Sequence, residues 1–218
     1  MKVLILGAGG MAGHVTSIYL RAKGFDVATL SAHTKLDETT TLLDVQDIMK
    51  LKVLLETTQH DVVINCIGIL VNQSDKNQDV AIYINSYLPK FLEAFYEGSE
   101  TKVIHISTNG VFSGEHPLYD ETATYDSQTN YGRTKALGEI NNSKDLTIRT
   151  SIIGPEFTKN GRSLFDWFYK QSGEISGYST SDWSGVTTIE LAKFIHYAID
   201  QEVSGVYHLV PKDTISKY

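Results

Sequence analysis

Short unbroken apolar runs alternate along this chain with stretches where apolar residues recur every three or four positions. The runs 2-KVLIL-6, 25-FDVATL-30, 61-DVVINCIG-68, 102-KVIHIS-107 and 146-LTIRTS-151 have the length and branched content of buried strands. Helical spacing covers 11–24, 45–59, about 78–97 and about 130–141. Gly24 ends the first of these, and Pro89 predicts a kink or restart in the third. This alternation predicts an α/β fold, a doubly wound, Rossmann-like parallel sheet covered on both faces, with right-handed crossovers. The last third is less regular. Helices over 162–172 and 187–200 and a strand at 205-GVYHLV-210 predict an extension of the sheet plus a small lobe. The expected division is a core over 1–155 and a partial lobe over 156–218, interleaved with late sheet elements.

The first strand runs directly into 7-GAGGMAG-13, where Gly7, Gly10 and Gly13 form G-x-x-G-x-x-G. A glycine pattern between a first strand and a first helix lets backbone pass beneath a pyrophosphate, and the helix N-terminus offers free N–H groups to it. A tight turn with close helix–strand packing is the plainer reading. The second strand should end at a residue that reads the adenosine ribose, commonly an acid for NAD. Ser31 stands there, with His33 and Lys35 placed to meet a ribose phosphate, so NADP(H) is favoured over NAD(H). Asp44 is placed to accept from an adenine amino group or to cap the following helix, with Asp47 in capping-box position. Cys66, just past the third expected strand, has no evident base and reads as a small packing residue.

The fourth expected strand ends in 105-HISTNGVFSG-114, placing Ser107 and Thr108 where ligands of open parallel sheets bind. The next helix opens with 131-YGRTK-135. Tyr131 and Lys135 share one helix face, a turn apart. Packed beside that strand, Thr108, Tyr131 and Lys135 would converge on a nicotinamide. A carbonyl taking up hydride needs a proton at oxygen. A tyrosine hydroxyl can deliver it, and a nearby lysine cation is expected to lower its pKa by about 1–3 units. The lysine would also hold ribose hydroxyls, and the threonine would position the substrate oxygen. The same spacing recurs in 19-YLRAK-23, far from any strand-end hydroxyl, and Tyr19 and Lys23 read as structural.

Composition narrows the picture without changing it. The 218 residues are 41% hydrophobic and 21% charged, an ordinary globular balance. A net charge of −7 without a basic run argues against nucleic acid or an anionic membrane as partner. One cysteine excludes a disulfide framework within the chain and a cysteine metal cluster, and no histidine pair has metal-ligand spacing, so no metal is expected. A reducing cytoplasm fits that count. The apolar run 3-VLIL-6 is short for a signal peptide, and no stretch has the length of a membrane span. The exposed helix faces are compatible with a homodimer.

Together, 7-GAGGMAG-13, 61-DVVINCIG-68, 105-HISTNGVFSG-114, 131-YGRTKALGE-139 and 148-IRTSIIGPE-156 resemble the extended short-chain dehydrogenase/reductase superfamily, and within it the dTDP-4-dehydrorhamnose reductase-like nucleotide-sugar reductases. The resemblance covers nearly the whole chain. It implies catalytic roles for Thr108, Tyr131 and Lys135. It implies cofactor contacts from Gly7, Gly10, Met11, Gly13, Ser31, His33, Asp44, Val45, Cys66, Ile67, Gly68, Ser107, Tyr131, Lys135, Ser151 and Ile152. Thr108, Asn109 and Tyr131 would meet the substrate. Where the family carries aspartate and tyrosine, this chain has Asn109 and Gly110, which puts the sugar pocket in question. The stretch 181-SDWSGVTT-188 is loosely similar to the family's substrate side, and the chain stops where a further helix is expected, so it is either a trimmed fragment or lacks part of the substrate lobe. The implied activity is NAD(P)H-dependent reduction of a keto group, at C4, on a nucleotide-activated deoxysugar for surface polysaccharide synthesis. A nucleotide-sugar epimerase or a non-catalytic NAD(P)-binding subunit are the alternatives.

Overall fold

The computed structural model describes residues 1–116, 118–157 and 163–217. Its centre is a seven-stranded sheet of order β10-β6-β5-β4-β1-β2-β3, with every neighbouring pair parallel. In chain order the elements are β1 (Lys2–Leu6), α1 (Met11–Ala22), β2 (Asp26–Ser31), β3 (Thr40–Leu42), α2 (Ile48–Thr57), β4 (Val62–Asn65), α3 (Val71–Lys76) and α4 (Gln78–Ala81). A π-helical segment Ile82–Tyr87 joins α4 to α5 (Leu88–Phe95). Then come β5 (Lys102–Thr108), a 3-10 turn Asn109–Val111, α6 (Asn130–Gly138), β6 (Leu146–Thr150), β7 (Ile152–Ile153), α7 (Leu164–Tyr169), β8 (Tyr178–Trp183), β9 (Val186–Thr187), α8 (Thr188–Asp200), β10 (Gly205–His208) and β11 (Ile215–Lys217).

The unbroken apolar strands are explained by burial on both faces. Side chains alternate along β1: Val3 and Ile5 join one core with Leu20, Leu191 and Ile195, while Leu4 and Leu6 join the other with Leu51, Leu88 and Leu92. One face of the sheet is thus covered by α1 and α8 and the other by α2 and α5. The strand order reverses at β1, whose neighbours are β2 and β4, so a crevice opens above their carboxyl ends.

Several expectations are corrected. Strand β3 was not legible; Thr40 and Thr41 carry no apolar run, yet Thr29 and Thr40 pair across the strands and join their hydroxyls at 2.9 Å. The helix expected from 45 begins at Ile48, capped by Asp47, which accepts from the Lys50 N–H at 3.2 Å. Asp44 instead turns the chain ahead of it, accepting from the Gln46 N–H at 3.0 Å. The helix expected over 78–97 is interrupted by the π segment before Pro89, whose missing N–H falls where the π turn gives way to α5. The helix expected over 162–172 is found as α7, with residue 162 outside the described residues. Strand β10 pairs with β6 and extends the sheet, as anticipated. Among the described residues no helix is long and apolar enough to cross a membrane.

Candidate active site

The glycine loop is built for close approach. Gly7 has φ +80, a left-handed conformation, and a β-carbon on it would meet Ile67 at 2.8 Å. A β-carbon on Gly9 would lie 2.9 Å from Ser31 Oγ, so the loop rests against the end of β2. Gly10 is the N-cap of α1 and offers no side-chain cap; the first turn also holds no acid. Met11 begins the helix. The free N–H groups and dipole of a twelve-residue helix therefore open onto the crevice at the strand-order reversal. These features fit a dinucleotide pyrophosphate. Ser31 lies beside the loop, and His33 is exposed just past β2. Lys35 is exposed too, but its ammonium is paired with Glu38 at 2.8 Å. Asp44 lies beyond β3 on the same edge. Val45 is a core residue whose backbone carbonyl accepts from Tyr83 at 3.0 Å.

On the other side of β1, β4 delivers Cys66, Ile67 and Gly68. Asn65 Oδ1 accepts from the Ile67 N–H at 3.1 Å and shapes the turn. Burial pushes the Cys66 thiol up to about 12, the state of a packing residue rather than a nucleophile. The π segment turns Asn85 inward, where it both accepts from the Ile69 N–H at 2.8 Å and donates to the Ile69 carbonyl at 3.0 Å. Asn85 also donates to Thr134 at 3.1 Å, which ties this loop to α6.

Helix α6 is set hard against its neighbours by small residues. A β-carbon on Gly138 would lie 1.9 Å from the Asn85 carbonyl oxygen, and one on Gly132 would lie 2.2 Å from that of Gly110. Thr129 caps the helix, accepting from the Gly132 N–H at 3.0 Å. This seating brings Tyr131 to the end of β5, beside Thr108. Thr108 Oγ1 also accepts from the Gly110 N–H at 3.0 Å. Gly110 approaches the Tyr131 ring, and a β-carbon there would lie 3.3 Å from the ring edge. Asn109 Oδ1 accepts from Ser151 at 2.7 Å, joining the ends of β5 and β6, and Ile152 continues into the small β7–β9 pair.

One expectation about the electrostatics is overturned. Burial raises the Tyr131 pKa above its ordinary value, against a smaller lowering by the neighbouring Thr108 hydroxyl. Lys135 does not offset this, because its ammonium position is spent elsewhere. Nζ donates to the Ile106 carbonyl at 2.7 Å and lies 3.3 Å from His105 Nε2. Burial pulls Lys135 itself down to about 8. Ser107 is also redirected: its hydroxyl donates to Glu139 at 2.6 Å, so only its backbone is free for the crevice.

That contact belongs to a cluster the sequence reading missed. Glu139, one turn past Lys135, forms an enclosed ion pair with Arg149 of β6 at 2.9 Å and accepts from Tyr125 at 2.7 Å. The Arg149 guanidinium lies over the Phe112 and Tyr125 rings at 5.2 and 5.0 Å. The loop between β5 and α6 is thereby anchored to the sheet beside Thr108. The alternation of β6 does place Arg149 on one face, but nothing local marks its partner. Tyr19 and Lys23 show the contrast: Tyr19 packs near His196 of α8, and Lys23 lies over its ring at 5.6 Å.

A family model described as the RmlD substrate binding domain matches residues 1–218. The chain belongs to this family. It is accordingly a member of the extended short-chain dehydrogenase/reductase superfamily, as the motifs suggested. A probable low-salt glycan biosynthesis reductase of Haloferax volcanii is 33% identical, over 99% of this chain and 76% of its own. The spore coat polysaccharide biosynthesis protein SpsK of Bacillus subtilis is 30% identical, over 100% of this chain and 76% of its own. Among solved structures, a dTDP-4-dehydrorhamnose reductase of Bacillus anthracis in complex with NADP superposes with TM-score 0.83 at 26% identity, over 99% of this chain and 77% of that one. Within this fold the glycine loop at the end of β1 and Thr108 and Tyr131 at the end of β5 flank the carboxyl end of β4.

Proposed function

We propose that this chain reduces a keto group, at C4, of a nucleotide-activated deoxysugar with NADPH as the favoured donor, in the service of surface polysaccharide synthesis. The observation that carries the reading is the meeting of Thr108 and Tyr131 at the carboxyl end of β5, where a β-carbon on Gly110 would lie 3.3 Å from both the Thr108 hydroxyl and the Tyr131 ring, beside an uncapped helix and a glycine cradle. The relatives' own descriptions as reductases and glycan-synthesis proteins, and the NADP complex of one of them, support the same direction.

The residues divide the work. Gly7, Gly10, Met11 and Gly13 would hold the pyrophosphate, with Ser31 and His33 at the adenosine ribose and Asp44 at the adenine. The backbone of Cys66–Gly68 and of Ser151–Ile152 would line the nicotinamide side. When bound, the dinucleotide supplies the hydride. Thr108 positions the substrate carbonyl oxygen, and Tyr131 delivers the proton to that oxygen as charge develops on it. The raised Tyr131 pKa suits this direction, since burial keeps the phenol protonated until the oxygen becomes basic. Lys135, freed from Ile106, would hold the nicotinamide ribose. Asn109 and Gly110 would border the sugar.

The test is turnover with NADPH or NADH and a panel of nucleotide-linked 4-keto sugars. Tyr131→Phe should lower turnover by about 10²–10⁴-fold while leaving cofactor binding intact. Tyr19→Phe should leave turnover unchanged. Full activity in Tyr131→Phe would sink the mechanism, and copurified NAD with no net NADPH consumption would replace it with epimerisation.

A further inference from the structure

Behind Lys135 stands a buried chain of polar groups that the proposed chemistry does not use. Asn65 of β4 and His105 of β5 are wholly enclosed, and Lys135 is 3% exposed. Their hydrogen-bond polarity is determined from one end. The Ile67 N–H can only donate, so the atom it meets at 3.1 Å is the Asn65 carbonyl oxygen. The Asn65 amide nitrogen is therefore the atom facing His105 Nδ1, at 3.2 Å. An amide NH₂ can only donate, so Nδ1 accepts. The neutral ring then carries its proton on Nε2, which faces Lys135 Nζ at 3.3 Å.

An N–H directed at Lys135 finds an acceptor only on the neutral amine. In that state every partner is satisfied: Asn65 donates to His105, His105 donates to Lys135, and Lys135 donates to the Ile106 carbonyl. An ammonium at Lys135 would need a lone pair on Nε2. The ring proton would then move to Nδ1 and oppose the Asn65 NH₂, two donors facing each other in an enclosed space.

We propose that Asn65 and His105 are positioning residues that, through the tautomer they enforce, favour the neutral amine of Lys135 in the cofactor-free protein, so that binding of NADPH at mildly alkaline pH is coupled to uptake of a proton by Lys135. Only the coupling rests on the reductase reading; the tautomer stands on hydrogen-bond geometry alone. The other groups facing Lys135 are Glu139 and Cys66, which favour the cation, and Tyr131 a turn away on α6. Glu139 is already closed by Arg149. Lys90 of α5, like Lys135, disfavours a charge on His105 and keeps the ring neutral. Burial of Lys135 acts in the same direction as the tautomer.

The first arm needs no variant of the site and no ligand. Ring-nitrogen NMR on the full ¹⁵N-labelled chain, with the His105 signals assigned by their loss in His105→Gln, should show a protonated Nε2 and a bare Nδ1. A proton on Nδ1 overturns the proposal. The second arm is calorimetry of NADPH binding at about pH 8.5, where a neutral lysine has a proton to gain, in buffers of different ionisation enthalpy. Wild type should take up more than half a proton per NADPH. Asn65→Asp accepts from both Ile67 N–H and His105 Nδ1–H, reverses the tautomer, and should cut that uptake by at least about threefold. Wild-type binding without proton uptake overturns the coupling, and uptake unchanged in a folded Asn65→Asp protein overturns the role of the tautomer. Should that variant not fold, the two wild-type measurements decide. Absence of NADPH binding would count against the reductase reading and leave the tautomer result standing.

Discussion

The Gly7 carbonyl oxygen occupies the space that a side chain on Gly13 would need: a β-carbon there would lie 2.3 Å from it. The first turn of α1 is thus pressed onto the loop that leaves β1. Gly13→Ala must push helix and strand apart, an overpacking cost of about 1–3 kcal/mol. Chemical denaturation should show that loss, and NADPH titration should show weaker binding because the cradle shifts with the helix. An unchanged denaturation midpoint would mean that the approach is looser than the contact implies.

The enclosed Glu139–Arg149 pair holds α6, β6 and the loop at Tyr125 in one arrangement. Glu139→Ala leaves the Arg149 guanidinium buried without its carboxylate and is expected to cost about 3–5 kcal/mol. Replacing both residues, as in Glu139→Leu with Arg149→Met, should cost much less, since no charge is then stranded. Denaturation of the three proteins checks the order; a double variant as unstable as Glu139→Ala would argue that shape, not charge, holds the cluster.

Lys135 makes stability depend on pH in a definite direction. Its folded pKa is about 8, below its ordinary value of 10.5. Between these the unfolded chain holds more protons than the folded one, so stability rises with pH. The cost of burying the cation is full below about 8 and gone above 10.5. Lys135→Met lacks this dependence. Unfolding free energies of the two proteins, compared from neutral to alkaline pH, should converge or cross as wild type gains. Parallel pH profiles would show that Lys135 is not buried as a titrating amine.

The parts of the site that lie on one element were legible. The glycine loop is contiguous with its strand and helix, and Tyr131 and Lys135 share a helix face by spacing alone. What depends on two elements was not. The expected lowering of the Tyr131 pKa assumed that Lys135 reaches the phenol, whereas the carbonyl of Ile106, on a neighbouring strand, draws the lysine away. Ser107 looked free because its partner, Glu139, lies at the far end of α6. The π segment left no local mark either, since Ile82–Tyr87 has the spacing of an ordinary helix; the inward turn of Asn85 is supported by Ile69 and Thr134, both distant in sequence. Strand β3 was missed because it is a three-residue edge strand with threonine where a core strand would be apolar.

By itself the order of apolar runs and helical stretches determined the parallel, doubly wound architecture, because strands buried on both faces leave few ways to connect them. It also determined which residues could meet at the carboxyl ends of β1, β4 and β5. Only the tertiary structure decided how those residues are charged and paired. A hydrogen bond or a desolvation penalty is set by the few ångströms between elements. Those distances follow from how closely Gly13, Gly132 and Gly138 let helices approach, which no local pattern encodes.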